Sequence, residues 1–291
     1  MTATTEPTTR SLAVPGATLA YDVRHVDPAE LPLLLIGSPM GAAGFATLAG
    51  HFTDRTVVTY DPRGVERSVK NDPATTSTPE QHADDVHRII EAIGGGPVDL
   101  FASSGGAVNA LALVAAHPRD VRTLVAHEPP FAAIVPDREW ALAASRAVAD
   151  AYQEGGFGPG MARFIGVVSH QGPFTAADAE APAPDPALFG LPAEDDGNRT
   201  DPLLFQNIIS STHFEPDFDA LRAAATRIVI AVGIESEGQL AFRGGVAAAE
   251  RLGSEAVRFP SDHGGFLGGE YGQAGDPDAF AATLREVLSE T

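Results

Sequence analysis

Five short runs dictate what this chain can become: LPLLLIG (31–37), RTVVTYD (55–61), VDLFAS (98–103), VRTLVAHE (121–128) and RIVIAVG (227–233). Each is apolar at nearly every position, rich in β-branched residues and too short for a helix, the pattern of a strand covered on both faces. Only a parallel sheet with helices packed on either side offers two apolar faces to so many strands, so the fold class is α/β, with a mostly parallel central sheet flanked by helices. Helical patterns fill the gaps. In TPEQHADDVHRIIEAIGGG, Thr78 is an N-cap, Pro79 opens the helix, Gln81 closes a capping box, and Val86, Ile89, Ile90 and Ile93 form one apolar stripe before Gly94 stops it. The stretch 11–25 alternates around Pro15 and Gly16 and reads as an antiparallel hairpin on the sheet edge.

The strand-then-helix rhythm breaks between His127 and Arg227. A helical stretch (137–156) is followed by a GFGPG break and a proline-rich acidic segment, APAPDPALFGLPAEDDGNRTDP (181–202). The reading is a core of residues 1–130 and 221–291, with a mostly helical cap inserted after the sixth strand at 131–220. Phe157, Phe164, Phe174, Phe189, Phe205 and Phe214 supply that insertion with either a core of its own or an apolar lid.

Charge narrows the partners. With 39 acidic against 19 basic side chains the formal charge is -20, which repels nucleic acid phosphates and anionic membranes. A small-molecule substrate is the expected partner, and self-association is compatible with the sequence. The chain has no cysteine, which excludes disulfides, thiolate metal sites and a cysteine nucleophile. The opening MTATTEPTTRSLAV shows no basic and apolar signal pattern, and nowhere do 18 apolar residues run together, so the expected location is cytoplasmic, with the first nine residues a mobile tail.

The stretch LFASSGGA (100–107) sets two hydroxyls and two glycines between a buried strand and the apolar helix that starts at about Gly105. A strand that turns sharply into a helix strains the turning residue and requires small neighbours two positions to either side; Ala102 and Gly106 meet that demand around Ser104. Residues 102–106 thereby resemble the nucleophile elbow of the α/β-hydrolase family, with alanine where the first glycine is commoner. The stretch LLLIGSPMG (33–41) resembles the family's segment after the third strand, Ile36 standing for the usual histidine. This resemblance implies an oxyanion hole made by the backbone N–H groups of Ser38 and Gly105. TYDPRGVERS (59–68) resembles the Asp-x-Arg-Gly loop, with Glu66 where glycine is commoner, and implies that Asp61 and Arg63 brace that loop. In FPSDHGGF (259–266), His263 falls where the family keeps its base.

Family members carry the third member of the triad after either of two strands, and this chain offers a carboxylate at each. Glu128 ends the fourth apolar run directly before Pro129 and Pro130. In VGIESEGQ the family spacing lands on Ser236, while Glu235 and Glu237 each miss by one position. Glu128 is favoured, Glu235 is the alternative acid, and both keep the chain order Ser, acid, His. Asp262 adjoins His263 and so cannot readily face it. Of the other histidines, His127 and His213 are placed to line the pocket, while His25, His51, His82, His87, His117 and His170 lie away from the carboxyl edge.

No dinucleotide fingerprint is present, and the acidic stretch HFEPDFD, with His213, Glu215, Asp217 and Asp219, fits no metal motif; no cofactor and no metal are expected. The resemblance implies a serine hydrolase that cleaves a small, largely apolar carboxylic ester or lactone through an acyl-enzyme on Ser104. The alternatives are a perhydrolase, haloperoxidase or C–C bond hydrolase of the same fold, or a non-catalytic binder of a small ligand.

Overall fold

A computed structural model describes residues 6–26 and 30–290. Strands β1 (Thr8–Val14) and β2 (Ala17–Arg24) form the expected hairpin, paired from Thr8↔Val23 to Val14↔Ala17 around Gly16, whose φ of 76° suits a two-residue turn. Thr8 and Thr9 are thus strand rather than tail, and residues 1–5 of the expected tail lie outside the described residues. The chain continues through β3 (Leu33–Ile36), the short α1 (Ala46–Gly50), β4 (Val57–Tyr60), β5 (Val69–Lys70), α2 (Pro79–Ala92), β6 (Val98–Ser103), α3 (Gly105–Ala116) and β7 (Val121–His127). Five helices follow without a strand: α4 (Arg138–Gly155), α5 (Phe157–Ser169), α6 (Ala176–Glu180), α7 (Ile208–Thr212) and α8 (Phe218–Ala223). Then come β8 (Arg227–Gly233), α9 (Leu240–Leu252), β9 (Val257–Phe259) and α10 (Pro277–Ser289).

The sheet order is β1-β2-β4-β3-β6-β7-β8-β9, with β5 added to β2. From β4 to β9 every neighbour is parallel, so the carboxyl ends of β3, β6, β7, β8 and β9 meet at one edge. Residues of β3 and β6 are buried throughout, and the two-residue period divides them between two cores. Leu34, Ile36, Leu100 and Ala102 pack with Val86, Ile89 and Ile90 of α2 and with the apolar α3. Leu33, Leu35 and Phe101 pack on the other face with Leu48 of α1 and Phe280, Leu284 and Val287 of α10. Each such Leu or Phe contributes about 1.5–3 kcal/mol by leaving water. The capping box of α2 forms as its sequence requires: Gln81 N–H donates to Thr78 Oγ1 and Thr78 N–H donates to Gln81 Oε1.

Between β7 and β8 a third apolar cluster joins Val135, Ala141, Ala144, Val148, Tyr152, Val167, Phe174, Leu204 and Ile208. Phe174 is buried there and Phe157, Phe164 and Phe205 pack against it, Phe214 packs against the main core, and Phe189 is exposed. At the two ends of this segment Phe131, Ala133 and Ile134, then Phe218 and Leu221, still belong to the main core. The segment is also tied down by polar bonds: His82 Nε2 of α2 meets Asn207 Oδ1 at 2.8 Å, and Ser77 N–H donates to the Gln206 carbonyl. Among the described residues no helix is long and apolar enough to cross a membrane.

Candidate active site

Ser104 is the single residue between β6 and α3. Its N–H donates to the His127 carbonyl at 2.9 Å, as a further rung of the sheet, while its own carbonyl already accepts from Ala107 and Val108, as the first rung of the helix. Serving both ladders forces φ 58° and ψ -129°, a conformation that costs a non-glycine residue about 1–3 kcal/mol. The glycines make the corner possible. A Cβ on Gly105 would lie 2.6 Å from the Ser38 carbonyl oxygen, and one on Gly106 would lie 2.8 Å from Gly37 Cα, so the end of β3 rests backbone to backbone on the first turn of α3. A serine at an N-cap ordinarily spends its hydroxyl on the helix; that of Ser104 makes no capping bond and the residue is partly exposed. The N–H groups of Gly105 and Gly106 begin the helix and have no partner within it, giving the corner a partial positive charge.

Glu128 follows β7 directly, with φ 48° and its N–H bonded to the Ala231 carbonyl. It is fully buried, its Oε1 accepts from Gly233 N–H at 2.8 Å, and its Oε2 accepts from His263 Nδ1 at 2.5 Å. Burial alone would push this carboxyl up, but the hydrogen bond from His263, the neighbouring imidazoles and Gly233 N–H outweigh it and hold the group at about 2. Desolvation pulls His263 down and the hydrogen bond and charge of Glu128 push it up more strongly, so its net shift is upward. A carboxylate at Nδ1 keeps the proton there and leaves Nε2 of the neutral ring as the acceptor. The His263 side chain is 41% exposed and so can be reached from solvent.

The alternative acid is elsewhere. Glu235 is exposed, with its N–H on the Ser261 carbonyl, and Glu237 lies 3.9 Å from Arg258. Ser236, at the family spacing, is fully buried with an unpartnered hydroxyl. Asp262 is exposed and accepts from Gly264 N–H. Ser38 is buried against Gly105, and the chain after it is held by Asp61, whose carboxylate accepts from Ala42 N–H at 2.8 Å and Arg67 Nε at 2.6 Å. Arg63 makes a buried two-point pair with Asp85 of α2. Both act as braces.

One histidine expectation needs correction. His127 does not line a pocket: it is fully buried beside Phe101, Phe259, Phe266 and Phe280, and burial pushes its imidazole down to about 4. Its Nδ1 meets Ser103 Oγ at 3.2 Å, a serine–histidine contact closed to solvent and therefore to substrate. His213 Nε2 lies 3.3 Å from the Leu142 carbonyl of α4. One neighbour went unread: Ser211 of α7, buried, has its Oγ 3.3 Å from the point where a Gly105 Cβ would sit, which brings the helical segment over the elbow. No local motif marks it. Two surface clefts, of about 360 and 580 Å³, are bordered by Asp22, Arg24 and Arg67 and by Arg10, His25 and Arg122; neither includes Ser104 or His263 along its wall. The chemistry of the corner, not cavity size, marks the site.

Residues 33–203 match the family model described as the alpha/beta hydrolase fold. The chain belongs to that family. As an α/β-hydrolase it is 30% identical over 263 residues to the uncharacterized hydrolase YraK of Bacillus subtilis (strain 168), covering 88% of this chain and 89% of that one. The fold is also that of a thermophilic esterase from Thermogutta terrifontis, with a TM-score of 0.66 and 19% identity over 97% of this chain and 98% of the esterase. The N-acyl homoserine lactonase AidH superposes with a TM-score of 0.61 at 17% identity, covering 97% of this chain and 96% of the lactonase.

Proposed function

We propose that this α/β-hydrolase is a cofactor-independent serine hydrolase that cleaves a small, largely apolar carboxylic ester or lactone through an acyl-enzyme on Ser104. The observation that carries the proposal is the 2.5 Å bond between fully buried Glu128 and the accessible His263, at the sheet edge where the strained Ser104 turns into α3. A serine hydroxyl is a weak nucleophile until an imidazole takes its proton. Ser104 Oγ attacks the carbonyl carbon as His263 Nε2 accepts that proton, and Glu128 stabilises the imidazolium. The oxyanion accepts from the N–H groups of Gly105 and Ser38, each donor contributing on the order of 3 kcal/mol. Collapse expels the alcohol, which takes the proton from His263; in a lactone this alcohol stays tethered to the acyl group. Water, deprotonated by the same imidazole, then releases the acid.

An esterase and a lactonase among proteins of the same fold are consistent with this reading. The formal charge of -20 disfavours anionic substrates. The test is Ser104→Ala: hydrolysis of p-nitrophenyl acetate should fall about 10⁴-fold or more and labelling by a fluorophosphonate should vanish, with the thermal midpoint of unfolding kept. Turnover at the level of the unaltered protein would overturn the assignment. A panel of short esters, lactones and C–C bonded diketones then divides the chemistries; activity confined to the diketones would overturn the substrate class while leaving the nucleophile standing.

A further inference from the structure

At the amino edge of the sheet, opposite Ser104, three side chains converge that the hydrolytic reading does not use. His87 comes from the last turns of α2, His117 from the residue capping α3, and Asp120 from the turn into β7. One ligand atom from each lies within 4.8 Å of the other two. His87 Nδ1 meets Asp120 Oδ2 at 2.6 Å, the rings of His87 and His117 lie face to face with centroids 3.8 Å apart, and Glu91 Oε1 is 3.7 Å from His87 Nε2. All three are partly buried, so an ion can reach them from solvent. Their backbones are fixed: His117 N–H donates to the Leu113 carbonyl, Asp120 N–H to the His117 carbonyl, and Val98 N–H to the Asp120 carbonyl.

Ring stacking and one hydrogen bond would explain this cluster as packing. That explanation gives no reason for a second imidazole nitrogen within reach of the same carboxylate. We propose that His87, His117 and Asp120 bind a divalent transition-metal ion, zinc(II) in the first instance. Two imidazoles and one carboxylate suit zinc, nickel or copper(II) better than magnesium or calcium, which take mostly oxygen ligands. Bonds of about 2.0–2.1 Å in a tetrahedral site bring the ligand atoms closer together than 4.8 Å. The rings must therefore tilt out of their parallel stack until both nitrogens face the ion. His87 Nδ1 must carry no proton for this step, so any proton shared with Asp120 is released to solvent as the metal–nitrogen bond forms. Water takes the fourth position. The ion would clamp α2, the end of α3 and the start of β7 together, a stabilising role remote from the reacting serine. No metal is expected from the sequence, and the spacing of residues 87, 117 and 120 matches no metal motif that would mark them.

The experiment is titration of the whole chain with zinc chloride by calorimetry and with cobalt(II) by its visible absorption. Expected are one saturable equivalent, a raised thermal midpoint, and binding weakened about tenfold or more in both His87→Gln and His117→Gln, whose ester turnover without metal stays unchanged. His263→Ala should bind as the unaltered chain does, which separates this site from the Glu128–His263 pair. On the unaltered protein, one equivalent should also shift the ring proton signals of two histidines that persist in His263→Ala, a readout that holds even if a Gln variant does not fold. The proposal falls if no saturable equivalent binds, or if both Gln variants bind zinc as tightly as the unaltered chain.

Discussion

Glu128 keeps its charge in a fully buried position because His263 and Gly233 N–H both donate to it, and that charge in turn raises the imidazole. Glu128→Gln should therefore lower kcat on the order of 10⁴-fold, whereas the exposed Glu235→Gln should change it little; equal small losses would remove Glu128 from the mechanism. In the proposed mechanism only the neutral ring accepts the serine proton, so kcat/KM should fall on the acid side through a pKa above the ordinary imidazole value of about 6.5. In Glu128→Gln that limb should move to lower pH, since only the charge of Asp262 then works against desolvation at His263. The signs for stability differ between the partners. The depressed Glu128 contributes above its unfolded value, near 4.5, and the contribution is lost as pH falls towards about 2. The raised His263 contributes below its unfolded value and the contribution is lost as pH rises through the folded one. The pair stabilises most between about pH 4.5 and 6.5.

At the scale of elements, the site depends on how closely the end of β3 lies on the start of α3. Gly105→Ala would place a methyl 2.6 Å from the Ser38 carbonyl, and backbone cannot yield as a flexible side chain can. Unfolding by urea should show a loss of about 1–3 kcal/mol, and displacing Ser38, the proposed oxyanion donor, should cost kcat more than tenfold. Gly50→Ala, where an added methyl meets nothing within 4 Å, is the control and should be nearly neutral in both measurements. Elements of strong local pattern were legible beforehand: the hairpin, the capped α2, and the strands that became β3, β4, β6, β7 and β8. The two-residue β5 was not, because its pairing with Ala17 and Thr18 of β2 defines it rather than any period of its own.

For the whole molecule, the charge of -20 acts at a distance that salt can screen, with a Debye length of about 10 Å at 0.1 M. The kcat/KM for an ester bearing a free carboxylate should rise with added sodium chloride while that for a neutral ester of equal size stays flat. Equal salt responses would mean that the surface charge does not reach the site. The same scale decides which side chains share a place. Arg63 and Asp85 form a buried pair that locks the loop after β4 to α2, and His82 with Asn207 ties the helical segment to the core. Each contact joins parts of the chain that carry no local sign of one another.

Apolar runs, caps and small residues act over a few positions, so the sequence by itself determined the α/β class, the sharp corner at Ser104 and a histidine after the last strand. It left Glu128 and Glu235 as rivals because both follow strands at the same sheet edge. Only the tertiary structure decided which of them meets the ring: parallel pairing sets β7 beside β8, Gly233 N–H orients Glu128, and His263 reaches it across 135 residues. The same holds for His127, sent into the phenylalanine core rather than the pocket, and for His87, His117 and Asp120, gathered from three elements. Proximity between distant residues comes from packing the whole sheet and its helices, and no local pattern carries it.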